Sequence, residues 1–130
     1  MKEILDFLNE CGTYFLATID NDKPRVRPFG TIMIYENHLY IQTGKRKEVS
    51  KQISKNPNVE ICAFKDGKWV RISGKLKRDE RIEAKKAMLD MYPYLRNMYD
   101  ENDDNTEVLY FESGEAVFAS FGGVPKTIRF

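Results

Sequence analysis

YIQTGKRKEVSKQISKNP, residues 40–57, joins an apolar run that ends at Thr43 to a lysine-rich segment through Gly44. It reads as a strand, a turn and a helix. A strand that stops at a hydroxyl residue and a glycine exposes backbone N–H groups, and a helix starting there adds partial positive charge, so the junction suits a phosphate. Lys45, Arg46 and Lys47 arrive at the same place. Lys47, Lys51 and Lys55 recur at every fourth residue as a charged stripe, Val49 and Ile53 mark the packing side, and Asn56 with Pro57 stops the helix. The alternative for this stretch is a solvated helix face with no ligand.

The chain has 130 residues, 42% hydrophobic and 12% aromatic, which is enough for one globular unit, residues 1–130, with a real core. Its 21 basic and 20 acidic residues leave a net charge of +1, which argues against binding nucleic acid by bulk electrostatics. Cys11 and Cys62 form no close pair, so neither a disulfide framework nor a zinc site is indicated. The opening residues MKEILDFLNE mix charge with apolar positions, unlike a signal peptide, and no run approaches membrane-spanning length. A cytoplasmic protein without a membrane partner is expected.

Ile4, Leu5 and Leu8 recur at helical spacing before Gly12, which predicts a helix over residues 2–11 packed over a sheet edge. Tyr14 to Asp20 reads as a strand, followed by the turn residues Asn21, Asp22, Lys23 and Pro24. The next strand, RVRPFGTIMIY from Arg25, puts Arg25, Arg27 and Phe29 on one face, and two arginines on one face want an anion or a carboxylate. Pro28 and Gly30 within it suggest an edge, a bulge or a close ligand, and a charge-protected edge is the plainer alternative. His38 reads as a turn residue. Val59–Phe64 and Trp69–Lys77 form a hairpin through Asp66 and Gly67, with Gly74 marking a bulge.

Residues 79–91 fit a second helix with Asp79 as N-cap and Ile82 and Leu89 on its apolar face. Tyr92, Tyr94 and Tyr99 with Met91 and Met98 line a pocket or belong to the core. The acidic run from Asp100 to Asp104 is an exposed loop, and Glu107–Glu112 and Glu115–Phe121 are strands joined by a Ser113–Gly114 turn before the released tail PKTIRF. The sum is a mainly β protein, a small antiparallel six-stranded barrel with two or three peripheral helices. So small a barrel is filled by its own side chains, which puts any sizeable ligand outside it or between subunits.

The order PRVRPFG, YIQT, a lysine-rich helix ending in KNP, then WVRISG and a final PKTIRF resembles the FMN-binding split β-barrel proteins of the pyridoxamine 5′-phosphate oxidase-like family. The resemblance covers nearly the whole chain and implies a homodimer with FMN at the interface. By that likeness Arg27, Thr43, Arg46 and Lys47 hold the phosphate, with Arg25 and Lys51 as second choices. Which of Lys45, Arg46, Lys47 and Lys51 touches it is left open. Phe29 and Gln42 complete the candidate cofactor-binding set, and Trp69 either flanks the isoalloxazine ring or packs in the core. True oxidases of the family close with a Trp-containing segment and an Arg- and His-bearing substrate motif, whereas this chain ends in Gly122, Gly123, Val124, Pro125 and Lys126 without histidine. The expected activity is therefore flavin-dependent oxidoreduction of another substrate, with NADPH or NADH as possible donor. No residue stands out as acid or base. The alternatives are a flavin sensor or store without turnover, and, least favoured by the charge, a nucleic-acid-binding barrel.

Overall fold

Burial alternates with a period of two along the strands of the computed structural model, which describes residues 1–130: Val59, Ile61 and Ala63 turn inward while Glu60, Cys62 and Phe64 turn outward. The element order is α1 (Lys2–Cys11), β1 (Tyr14–Asp20), β2 (Lys23–Phe29), β3 (Met33–Tyr35), β4 (His38–Gly44), α2 (Glu48–Lys55), β5 (Asn58–Lys65) and β6 (Lys68–Asp79). Then come α3 (Ile82–Met91), a 3-10 helix (Pro93–Asn97), β7 (Thr106–Ser120) and β8 (Lys126–Arg129). One antiparallel sheet runs β2-β1-β5-β6-β7-β4-β3, and β8 pairs with β7.

The sheet curls without closing, with β2 and β3 at its two ends, which is a split barrel. Residues 30–32 cross the split and are held by side chains rather than by a partner strand. The Tyr14 hydroxyl donates to the Thr31 carbonyl at 2.5 Å, the Gln42 amide donates to Thr31 Oγ1 at 3.1 Å, and the Tyr92 hydroxyl exchanges bonds with both Ile32 N and Ile32 O. The core is built from Leu16, Leu39, Ile41, Ile61, Val70, Ile72, Leu109 and Phe111 on the strands. Ile4 and Leu8 fix α1 to it, and Val49 and Ile53 fix α2. Helices this short are marginal alone, and each such side chain contributes about 1.5–3 kcal/mol on burial.

A six-stranded barrel is expected, although the sequence marks seven strand segments, and eight strands are present. The expected strand from Arg25 to Tyr35 is two, because the chain leaves the ladder at Gly30. The tail PKTIRF is not released but forms β8, with Phe130 edge-on to Phe111. Ser113 and Gly114 make no turn: β7 runs through them along β6, and Glu112 and Ser113 stand opposite the single residue Lys75 as a bulge. Gly74 is required there, since a Cβ on it would lie 2.9 Å from both Phe111 Cδ1 and the Ser113 carbonyl oxygen. The Asp66–Gly67 hairpin is as expected, with both residues at positive φ. Gly12 ends α1 at a φ of 76°.

The outward face of β2, β1, β5 and β6 is largely apolar. Phe15, Val26 and Phe64 are 49%, 67% and 59% exposed on it, and Arg71 stands among them, opposite Cys62 in register and without a salt bridge.

The helix expected over residues 79–91 is α3, which begins at Ile82, three residues later than expected, with Arg81 rather than Asp79 as its N-cap. Ile82 is exposed, and Ala84, Lys85, Met88 and Leu89 are the buried residues of α3. Asp79 instead ends β6 and ties three elements together. Its carboxylate accepts from Arg81 Nη2 at 2.8 Å, Arg81 Nε at 3.0 Å and the Tyr40 hydroxyl at 2.8 Å, and Arg81 also grips Glu36. The Arg81 side chain, outweighing burial and assisted by Tyr40, lowers the Asp79 pKa from 3.8 to about 2. A carboxyl whose folded pKa lies below its unfolded one stabilises the fold above the unfolded value and loses that contribution as pH falls through the folded value. Urea melts of the wild type should therefore lose stability between about pH 4 and 2, and Asp79→Asn should be less stable at neutral pH with a shallower loss over that window. An equal slope for both proteins would show that Asp79 is not so held.

Candidate functional site

At the end of β4 the chain must leave the sheet, turn, and enter α2 across the barrel end. Thr43 is the penultimate residue of β4, paired in register with Glu107 of β7, and Gly44 lies under Tyr99 and Asn105, where a Cβ would come within 3.0 Å of the Tyr99 hydroxyl. Asn105 then fixes the turn: its carbonyl accepts from Lys45 N at 2.7 Å and its side chain from Arg46 N at 3.1 Å. Lys47 is the N-cap of α2 in extended conformation and no side chain caps that helix, so the Glu48 and Val49 amides have neither intrahelical nor side-chain acceptors, while Ser50 N donates to the Lys47 carbonyl at 3.1 Å.

A cavity of about 170 Å³ opens here. Phe29 and Pro28 of β2, Gln42 and Thr43 of β4, and Lys47 line one part, and Tyr94, Met98 and Tyr99 line the other. Thr43 is 3% exposed and its hydroxyl makes no hydrogen bond, and the Lys47 ammonium has no acidic partner. The lining holds no carboxylate, histidine or cysteine. Its charge is positive, and the Thr43 hydroxyl and the Lys47 ammonium are unspent, whereas Gln42 Nε2 already donates to the Thr43 carbonyl at 3.0 Å and Thr31 Oγ1 accepts from Gln42 N.

Arg27 lies next door, on the strand that supplies Pro28 and Phe29. Its Nη1 donates to Leu16 O at 3.1 Å and Thr18 Oγ1 at 2.8 Å, and its Nη2 to Gln52 Oε1 of α2 at 2.7 Å. Burial, and then the nearby Arg25, lowers its pKa, although a guanidinium remains charged. On the other side of α2, Arg78 donates to Ser50 O, Ser50 Oγ and Ser54 Oγ and pairs with the buried Glu107, whose Oε1 is left without a partner.

The cavity brings together four of the expected residues, Phe29, Gln42, Thr43 and Lys47, and has Arg27 beside it. Arg25 turns to Asp20 at 3.1 Å, Lys45 to Glu80 at 3.3 Å and Lys51 to Glu48 at 3.1 Å, and Arg46 projects to solvent. Trp69 sits on the outward face against Phe121, ring centres 5.0 Å apart, and does not line the cavity. Asn105 and Gln52 also shape the site and carry no local signal in the sequence, because their side chains meet partners distant along the chain. Larger surface concavities exist, among them one of about 570 Å³ between α1 and the β7–β8 turn and one of about 620 Å³ around the β7 bulge. In the first, Lys126 is clasped to Glu3 at 2.7 Å and Lys2 to Asp6 at 2.8 Å. In the second, Lys75 projects among Glu112, Glu115 and Arg129, the last two paired at 3.2 Å.

No curated protein matches the chain. Among solved structures, a NimC/NimA family protein from Clostridium acetobutylicum is 43% identical over 100% of this chain and 92% of its own, with a TM-score of 0.96. A pyridoxamine 5′-phosphate oxidase-related, FMN-binding protein from Nostoc punctiforme shares the fold at 18% identity, over 98% of this chain and 87% of its own, TM-score 0.71. A heme binding protein from Mycobacterium smegmatis does so at 14% identity, over 92% and 53%, TM-score 0.74. The sequence profile of the pyridoxamine 5′-phosphate oxidase family matches residues 1–116, most of a 130-residue chain that also has the split barrel, and the chain belongs to that family.

Proposed function

We propose that the protein binds FMN with its phosphate in the cavity between β4, α2 and the 3-10 helix, and that it works in the cytoplasm as a homodimeric oxidoreductase. One observation carries this reading: an unbonded hydroxyl, an unpaired ammonium and an uncapped helix start converge on one small cavity. Thr43, Lys47 and the first amides of α2 would hold the phosphate, and Arg27 adds positive charge beside it. Bound flavin supplies hydride transfer between a nicotinamide donor and an acceptor. The chain's own groups bind, orient and exclude water, which fits a lining without an acid or base. FMN is favoured over haem because His38, the single histidine, packs on Tyr110 away from the cavity and offers it no axial nitrogen.

At about 170 Å³ the cavity is smaller than the roughly 300–1,000 Å³ of sites that enclose a drug-sized ligand, so the ring system would extend beyond it. Pro28 belongs both to the lining and to the apolar outward face, in register with Phe15. A second copy on that face would bury Phe15, Val26 and Phe64 and wall in the ring. The two free thiols suit a reducing compartment. A store or sensor without turnover is the second reading, favoured by the same lack of an acid or base. Anaerobic NADH or NADPH should bleach the bound flavin, and an unreduced spectrum would favour the store.

Titration should show FMN binding far better than riboflavin. A charge-assisted hydrogen bond is worth about 1.5–3 kcal/mol, so Lys47→Ala should weaken FMN by about 10- to 150-fold and leave riboflavin nearly unchanged. Lys51→Ala, whose ammonium is turned to Glu48, should change neither. Arg27→Ala is a less clean probe because it also strips Gln52 of a partner. Equal wild-type affinities for the two flavins would end the phosphate assignment.

Light scattering at micromolar concentration should give a dimer, and Phe64→Glu a monomer with weakened FMN binding; a wild-type monomer with FMN bound contradicts the interface. Pyridoxamine 5′-phosphate should not be appreciably oxidised, because the tail has no histidine and β8 spends Lys126 and Arg129 on Glu3 and Glu115. Turnover on the order of 1 to 10³ per second would refute that reading of the tail.

A further inference from the structure

The far wall of the cavity comes from a segment with an unusual balance of order and exposure. The 3-10 helix Pro93–Asn97 is firmly tied. Leu95 and Tyr99 are buried against Leu89, the Tyr92 hydroxyl holds Ile32, and Arg96 bridges Asp90 and Glu101 at 2.7 Å each. Yet Tyr94 and Met98, four residues apart and both lining the cavity, are 57% and 69% exposed. Their exposure therefore does not come from a loose backbone. A large apolar side chain alone on a surface needs no account. Two of them flanking a cationic cavity, with Phe29 and Pro28 across it, do.

We propose that Tyr94 and Met98 cover the mouth of the cavity and stack on the planar ring of a ligand whose anionic end lies at Thr43 and Lys47. This rests on the reading of that cavity as a phosphate site. Tyrosine offers a flat face to a ring, and methionine a polarisable chain that adapts to ring edges. Phe29, half-buried and backed by Tyr14 at 5.9 Å, supplies the opposing apolar wall. The ligand class follows from the two halves of the site: an aromatic heterocycle joined to a phosphate by a short linker. Trp69, on the outward face, has no part in this wall within one protomer.

The test is fluorescence titration of the full chain with FMN and with riboflavin, in the wild type, Tyr94→Ala, Tyr94→Phe, Met98→Ala and Lys47→Ala. Stacking of this kind gives Tyr94→Ala a loss of roughly 2- to 12-fold, equal for the two flavins, with Tyr94→Phe restoring the affinity. Met98→Ala should follow the same pattern, and Lys47→Ala should lose FMN alone. Tyr94 is 57% exposed but meets Tyr92 edge-on at 6.2 Å, so the affinities are compared at a temperature where thermal melts show every variant fully folded. If FMN binds the wild type and Tyr94→Ala leaves both affinities unchanged, or if its loss is confined to FMN, the stacking wall is refuted while the phosphate site stands. If the wild type binds neither flavin, both fall.

Discussion

An eight-residue helix is too short to hold itself together, so α2 keeps its place only through what it lies on. Val49 and Ile53 enter the barrel core, but the buried face of α2 also carries Ser50 and Gln52, which need hydrogen-bonding partners. Arginines from two separate strands supply them. Arg27 of β2 and Thr18 of β1 donate to the Gln52 carbonyl oxygen, and Arg78 of β6 donates to Ser50 and Ser54. Loss of Arg78 would leave the buried Glu107 carboxylate unmet, at a cost of about 1–3 kcal/mol or more, whereas loss of Arg27 would leave Gln52 held by Thr18 alone. The helix is thereby fixed in rotation as well as position, and Lys47 at its start lines the same cavity as Thr43. The geometry of the cavity is a consequence of this seating.

Most of the fold was legible because its signals are local. Helical spacing before Gly12 marks α1, Asp66–Gly67 specifies a hairpin, and Gly74 marks a bulge. The elements that were misread depend on distant partners. Gly30 to Ile32 look like strand residues, but hydroxyls from Tyr14 and Tyr92 bind their carbonyls and hold them across the split, out of any ladder. Ser113–Gly114 has turn chemistry, and only its pairing with β6 shows it to be a bulge in a continuous strand. The tail could be placed only once β7 was known to offer it an edge.

The candidate site divides in the same way. Thr43 and Lys47 were legible because a strand, a turn and a helix start follow one another in sequence. Among the basic residues, the selection of Lys47 over Lys45 and Lys51 is a matter of which carboxylate each one meets, Glu80 or Glu48, and composition does not reveal that. The sequence from Met91 to Tyr99 suits core and pocket alike, and the segment serves both: Leu95 and Tyr99 pack inward while Tyr94 and Met98 face the cavity. Trp69 was ambiguous because an outward residue of a central strand and a ligand contact have the same local sequence.

The account places an anion at the junction of β4 and α2, and a crystal structure of the protein with FMN tests that placement most directly. The phosphate should lie within hydrogen-bond distance of Thr43 Oγ1 and Lys47 Nζ, facing the first amides of α2. A phosphate found instead in the groove between α1 and the β7–β8 turn, with Thr43 and Lys47 untouched, would contradict it.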